Sequence, residues 1–304
     1  MSIIIAIQQV GIIFGYMLVG FIAGKLQIIR PQERLFLSKL ITSITLPFTI
    51  IAATNVTMKR AVLVNLGLLS GTLFLTYVVV TGVCLAILKM KGVSQKKQAA
   101  YTSLCVYPNS AFIGMPLCTA LMGDIGTIYA AGAIAAFNVI FFTLQESLFS
   151  GKKFQLKNFV TPVNITTVLM IVMLIFGIHL PAPVQTVCSN IGGMTTPLAL
   201  IIIGVMISES RLAEIIMEKR AYVLSLIRNI VVPLALLAVL KVLPLEYDVK
   251  LATLIFVACP VANLTAVYAM RFDTEAELCA RTTLLSTLMF ALTLPVILVC
   301  SNIL

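Results

Sequence analysis

Tyr107-Pro108-Asn109-Ser110 and Cys259-Pro260-Val261-Ala262-Asn263 each set a proline in the middle of an apolar stretch. Pro108 lies about 11 residues into its stretch and Pro260 about 12, so by helical rise both fall about 17 Å deep. That is near the centre of a bilayer core about 30 Å thick. A proline there has no amide to donate and frees the carbonyl four residues earlier. Lipid offers no replacement partner, so a helix broken at that depth lines a cavity or packs inside protein. Two such breaks, at matched places in one chain, point to the substrate site of a secondary transporter.

The rest of the chain agrees with a membrane setting. Its 304 residues are 60% hydrophobic and 11% charged, with a mean hydropathy of +1.10, which excludes an ordinary soluble domain. Apolar runs recur at about 4–24, 34–54, 61–88, 97–121, 126–149, 160–180, 184–207, 221–243, 249–270 and 280–302. The reading is an all-α polytopic protein of ten spans in a lipid bilayer. The first run reads as a span, because no basic region precedes Ile3. The net charge of +10 sits in the loops between spans, so nucleic acid is not the expected partner. Seven scattered cysteines show neither metal spacing nor a disulfide framework.

Loop charges set an orientation. With the N-terminus outside, the inner loops hold 15 Lys and Arg and the outer loops 4, counting Lys59, Arg60, Lys241 and Lys250 as outer. Both termini are therefore expected outside the cytoplasmic membrane. The chain also divides into similar halves, 1–149 and 160–304, joined by a short inner linker at 150–159. Pro47 and Pro197 stand 150 residues apart, Pro108 and Pro260 stand 152 apart, and Asp124 and Asp273 stand 149 apart. Five spans per half turn the second half upside down, giving inverted repeats whose fourth and ninth helices break and cross.

Several side chains are candidates for the site. The segment after Pro108 begins a fresh half-helix whose unpaired amides favour an anion. Asn109 and Ser110 add neutral groups that donate and accept, and Pro260 with Asn263 repeats the pattern. The bland alternative is a pair of kinked helices whose small residues allow close packing. Asn138 in the fifth span and Ser286 with Thr287 in the tenth lie deep enough to face the breaks, though bonding between helices explains them equally well. Arg228, about seven residues into the eighth span, draws an anion, snorkels to the inner surface or pairs with a buried carbonyl. Lys39 reads as snorkelling, and His179 as a loop residue. The eleven carboxylates fall in loops or near span ends, Glu146 coming nearest to the interior, so no midplane acid relay is visible.

At these motifs the chain resembles the auxin efflux carrier family, which includes plant auxin exporters and bacterial malonate and malate permeases. In the first half the resemblance rests on Gly15-Tyr16, Gly24-Lys25, Leu46-Pro47, Asn109, Phe112, Gly114, Pro116-Leu117 and Gly123. In the second it rests on Pro197-Leu198-Ala199, Gly204, Pro260, Asp273, Ser286-Thr287 and Thr293-Leu294-Pro295. The short linker makes it similar to a compact bacterial type. The resemblance implies a transport domain of spans 3–5 and 8–10 moving against a scaffold of spans 1, 2, 6 and 7, which is often the contact of a homodimer. It also implies that Asn109 stands at the crossing.

The expected function is therefore secondary transport of a small organic anion, a mono- or dicarboxylate, by alternating access, with no cofactor. Na⁺ and H⁺ both stand as coupling ions. A sodium-coupled symporter of larger amphipathic anions, like the bile-acid carriers, is the alternative, followed by a membrane sensor without transport. An embedded enzyme would need clustered His, Asp or Glu, which this sequence lacks.

Overall fold

The computed structural model describes residues 3–55, 60–151, 160–209 and 217–304. Most of the expected linker lies outside them, as do Lys59, Lys152, Lys153, Lys157 and Arg211 from the loop charges. In chain order the α-helices are α1 (Ile3–Lys25), α2 (Pro31–Leu40), α3 (Leu46–Ala52), α4 (Arg60–Met90) and α5 (Gln95–Val106). Then come α6 (Met115–Ile140), α7 (Glu146–Ser150), α8 (Pro162–Phe176), α9 (Ala182–Gly193) and α10 (Thr195–Glu209). The series ends with α11 (Lys219–Leu226), α12 (Val232–Val242), α13 (Tyr247–Ala258), α14 (Asn263–Arg271) and α15 (Ala276–Cys300). Among the described residues there is no strand, and the one isolated bridge joins Pro108 to Val261.

Six helical stretches are long and apolar enough to cross a membrane: Gln32–Ala52, Arg60–Met90, Ser110–Ser150 (broken at Gly123), Ala182–Glu209, Lys219–Val242 and Ala276–Ile303. Gly11–Lys25 and Pro162–Phe176 are shorter apolar helices. The surface carries large apolar side chains, such as Leu75, Val79 and Val83 on α4 and Val168, Leu169 and Ile175 on α8. The interior holds Arg228, Asn229, Asn109 and Ser286. Apolar outside with polar groups inside is the arrangement a hydrocarbon solvent selects.

Prolines explain most interruptions. Pro47, Pro116 and Pro233 each sit at the second residue of a helix that follows a wide π-turn: Ile41–Thr45, Ser110–Gly114 and Ile227–Val231. A proline ring collides with the carbonyl four residues back, here that of Ser43, Phe112 or Asn229, and each of these lies in the widened turn. The turn before Pro233 buries the consecutive residues Arg228 and Asn229 together, which the 100° step of a regular helix would separate. The expected fourth and fifth spans are parted by a tight reversal at Gly123. Within α6 two helices meet at Gly123, whose φ of 61° and ψ of −142° suit only a residue without a Cβ, and the chain folds back so that the Thr119 and Thr127 hydroxyls lie 2.8 Å apart.

Side-chain hydrogen bonds between distant helices form two sets. In the first, Arg34 pairs with Glu209 at 2.7 Å, and Thr49 bonds the Gly192 carbonyl and the Thr195 hydroxyl at 2.8 Å each. Gln185 reaches the Ala52 carbonyl at 2.9 Å, joining α9 to α3. α1 lies backbone to backbone on α10, because Gly20 meets the Ile201 carbonyl and Gly204 that of Met17. In the second set, Asn65 donates to Glu246 and Gln145 to the Ala99 carbonyl, each at 2.7 Å. The Ser103 and Thr265 hydroxyls, from α5 and α14, bond at 2.8 Å. Two further bonds link the sets: Asn138 to Asn164 at 2.6 Å and Asn263 to the Met206 sulfur at 3.6 Å.

Candidate functional site

The two proline breaks meet. Asn109 donates its backbone N–H to the Pro260 carbonyl at 2.7 Å, and Ala262 donates to the Tyr107 carbonyl at 2.9 Å. These bonds make the antiparallel bridge of Pro108 with Val261. Each break thus pairs one amide and one carbonyl with the other, where lipid could supply no partner. The bridge pairs residues 153 apart, whereas the prolines stand 152 apart. In this register Asn109 lies opposite Pro260 and Ala262 opposite Tyr107, so Ala262 makes the backbone bond equivalent to that of Asn109, and Asn263 falls one residue further on.

The sequence-predicted residues divide accordingly. Pro108, Asn109, Ser110 and Pro260 are buried together at the bridge. Asn109 caps the half-helix that follows, its Oδ1 accepting from the Phe112 N–H at 3.3 Å. Its Nδ2 is buried without a partner, as is the Ser110 hydroxyl. Asn263 opens α14 but turns its amide to Met206. Asn138 bonds Asn164 of α8, the helix-to-helix role. Lys39 is exposed on α2 and His179 lies exposed in a loop. Lys250, counted among the outer loops, is instead buried in the first turn of α13.

Arg228 does not snorkel. It is fully buried, and among the described residues none of its three guanidinium nitrogens has a hydrogen-bond partner. Its electrostatic neighbours are Tyr77, Cys259 and Cys105. Tyr77, also buried, lies beside Ser110, yet neither hydroxyl makes a well-aligned hydrogen bond. An isolated buried cation is among the most costly groups a protein can hold, and this set of donors is chemically suited to a negative charge. Neighbouring Asn229 donates to the Ser286 carbonyl at 2.8 Å and accepts from the Ser286 hydroxyl at 2.8 Å. The same hydroxyl accepts from the Val261 N–H at 3.0 Å. The turn that carries the arginine is thereby anchored to the second break through the Asn229 and Ser286 side chains.

Tyr77 and Asn229 are the members that sequence reasoning missed. Asn229 carried a signal, being a second polar residue beside Arg228 and four before Pro233. Tyr77 carried less, since a tyrosine inside a long apolar helix reads as core. Behind the bridge, Tyr107 packs edge-on against Phe137 and Phe141, with ring centroids 5.8 and 5.2 Å away. Two grooves of about 460 and 520 Å³ lie elsewhere, one beside Lys89, Gln95 and Gln98, the other between Gly67, Gly71 and Gly132. The bridge itself is enclosed.

A family described as membrane transport protein matches residues 5–153 and 143–298, nearly the whole chain. No curated protein is similar enough to match it. The apolar exterior, the buried polar centre and this match agree: the chain belongs to the auxin efflux carrier family of membrane transport proteins.

Proposed function

We propose that the protein is a secondary transporter of a small organic anion, a mono- or dicarboxylate, held at the paired breaks. The observation that carries this reading is the unpartnered guanidinium of Arg228, enclosed with the free donors of Asn109, Ser110 and Tyr77. A carboxylate accepts several hydrogen bonds and supplies the missing charge. The first amides of the half-helix at Ser110 are largely engaged, Ser110 with the Pro108 carbonyl and Phe112 with Asn109 Oδ1, so side-chain donors carry this reading.

In this reading the chain is two inverted five-span halves in the cytoplasmic membrane, with both termini outside. The excess of Lys and Arg in the expected inner loops supports that orientation. The second hydrogen-bonded set, α4–α7 with α11–α15, is the moving body. The first set, α1–α3 with α8–α10, is the scaffold, and it is also the expected homodimer contact. Few bonds need to break between the bodies, which favours alternating access by one moving against the other.

A thermal-shift screen of the purified protein against acetate, malonate, malate and succinate, followed by uptake in proteoliposomes, tests the cargo. A ligand that binds the folded state raises its unfolding temperature by mass action. Stabilisation and uptake by at least one carboxylate are expected. Stabilisation only by larger amphipathic anions would favour a bile-acid-like cargo, and binding without uptake would leave a sensor.

A further inference from the structure

The groove of about 460 Å³ lies where α4 gives way to α5, against α7. α4 runs 31 residues, about 46 Å by helical rise, which exceeds a hydrocarbon core of about 30 Å. Its charged ends, Arg60 and Lys89, therefore reach the level of the lipid headgroups. The groove at the Lys89 end joins two kinds of wall. Leu85 and Ala86 of α4 and Leu148 of α7 form the apolar part, and Lys89, Gln95 and Gln98 the polar part. Gln98 donates its amide to the Val93 carbonyl at 2.6 Å, which leaves Lys89 and Gln95 as donors for a ligand. Lys91 and Lys96 stand exposed close by in the chain. Among the described residues no carboxylate pairs with Lys89, Lys91 or Lys96, whereas Lys97 is held by Glu275 at 2.7 Å. The apolar wall continues onto the outside of the molecule. Val79, Val83 and Ala86 recur at helical spacing along one stripe of α4, and both valines are exposed.

We propose that this groove binds an anionic phospholipid, with its phosphate at Lys89 and Gln95 and one acyl chain along Ala86, Val83 and Val79. The unpaired lysines call for a net negative charge, and the apolar stripe beneath them calls for a hydrocarbon chain. A free phosphate would leave the stripe uncovered. A zwitterionic lipid would bring its own cation against the lysines. α4, α5 and α7 belong to one hydrogen-bonded set, so a lipid seated here holds three of its helices together at one membrane surface. The groove is separate from the Arg228 centre, and its test needs no cargo.

That test is thermal unfolding of the purified, delipidated protein in detergent, with phosphatidylglycerol, phosphatidylcholine or inorganic phosphate added. Phosphatidylglycerol is expected to raise the unfolding temperature by at least about 3 °C, and the other two by less than about 1 °C. The double variant Lys89→Gln with Lys96→Gln is expected to lose most of that shift. Both lysines are exposed, so the variant should fold as the wild type does. Lys241→Gln, which removes an exposed lysine from the last turn of α12, should keep the full shift. Equal stabilisation by phosphatidylcholine overturns the charge requirement, and equal stabilisation by phosphate overturns the lipid. No stabilisation by phosphatidylglycerol, or a double variant that responds as strongly as the wild type, overturns the site.

Discussion

Asn109 does two jobs with one side chain. Its Oδ1 caps the half-helix after the break, and its Nδ2 faces the enclosed centre without a partner. Asn109→Ala is expected to lower carboxylate uptake at least about tenfold while stability falls by only about 1 kcal/mol, the ordinary loss of a cap. Uptake kinetics and a denaturation midpoint measured on the same preparation separate the two effects. Ser286→Ala acts differently. It strips the Val261 N–H of its acceptor and Asn229 of its donor, both buried, so about 2 kcal/mol of stability should go. A thermal midpoint unchanged in Ser286→Ala would mean that the second break is held by other groups. Just before α11, Glu218 is held below the usual carboxylate range, chiefly by its bond from Arg220. A lowered folded-state value means that this contribution is present at neutral pH and is lost as pH falls through that range. The pair is largely exposed, so the loss should be small.

At the scale of elements, the half-helix after Pro108 is seated by Gly114, where an added Cβ would stand 2.7 Å from the Phe256 ring. Gly114→Val should therefore push that half-helix off α13 and cost about 1–3 kcal/mol, with uptake lost even where the protein still folds. Measuring uptake per folded molecule checks this. These elements show what the sequence could disclose. The breaks at Pro108 and Pro260 were legible because a missing N–H is a covalent property. Their register was not, because the bridge is set by which amide finds which carbonyl across two helices, and it slips one residue from the spacing of the prolines. The turn expected around Asp124 is tightened to a reversal at Gly123, which ends one helix and begins the next. Arg228 was legible as a charge inside a span. Its burial was not, because that follows from the widened turn before Pro233. Asn138 was assigned by depth alone, and only packing reveals Asn164 as its partner.

At the scale of the molecule, the two hydrogen-bonded sets predict where a covalent tether does harm. Ser103→Cys with Thr265→Cys joins helices within one body, and Asn138→Cys with Asn164→Cys joins the two bodies. A short thiol-reactive cross-linker is expected to stop uptake in the second pair and spare it in the first, with reduction restoring activity. Equal inhibition of both pairs would argue against two rigid bodies. Everything rests, however, on a negative charge entering the enclosed centre beside Arg228. The most direct measurement is uptake of labelled malonate by purified protein in proteoliposomes, wild type against Arg228→Ala, with folding of both verified. The account predicts saturable uptake that falls at least about tenfold in the variant. Saturable uptake at wild-type rates in folded Arg228→Ala would contradict it.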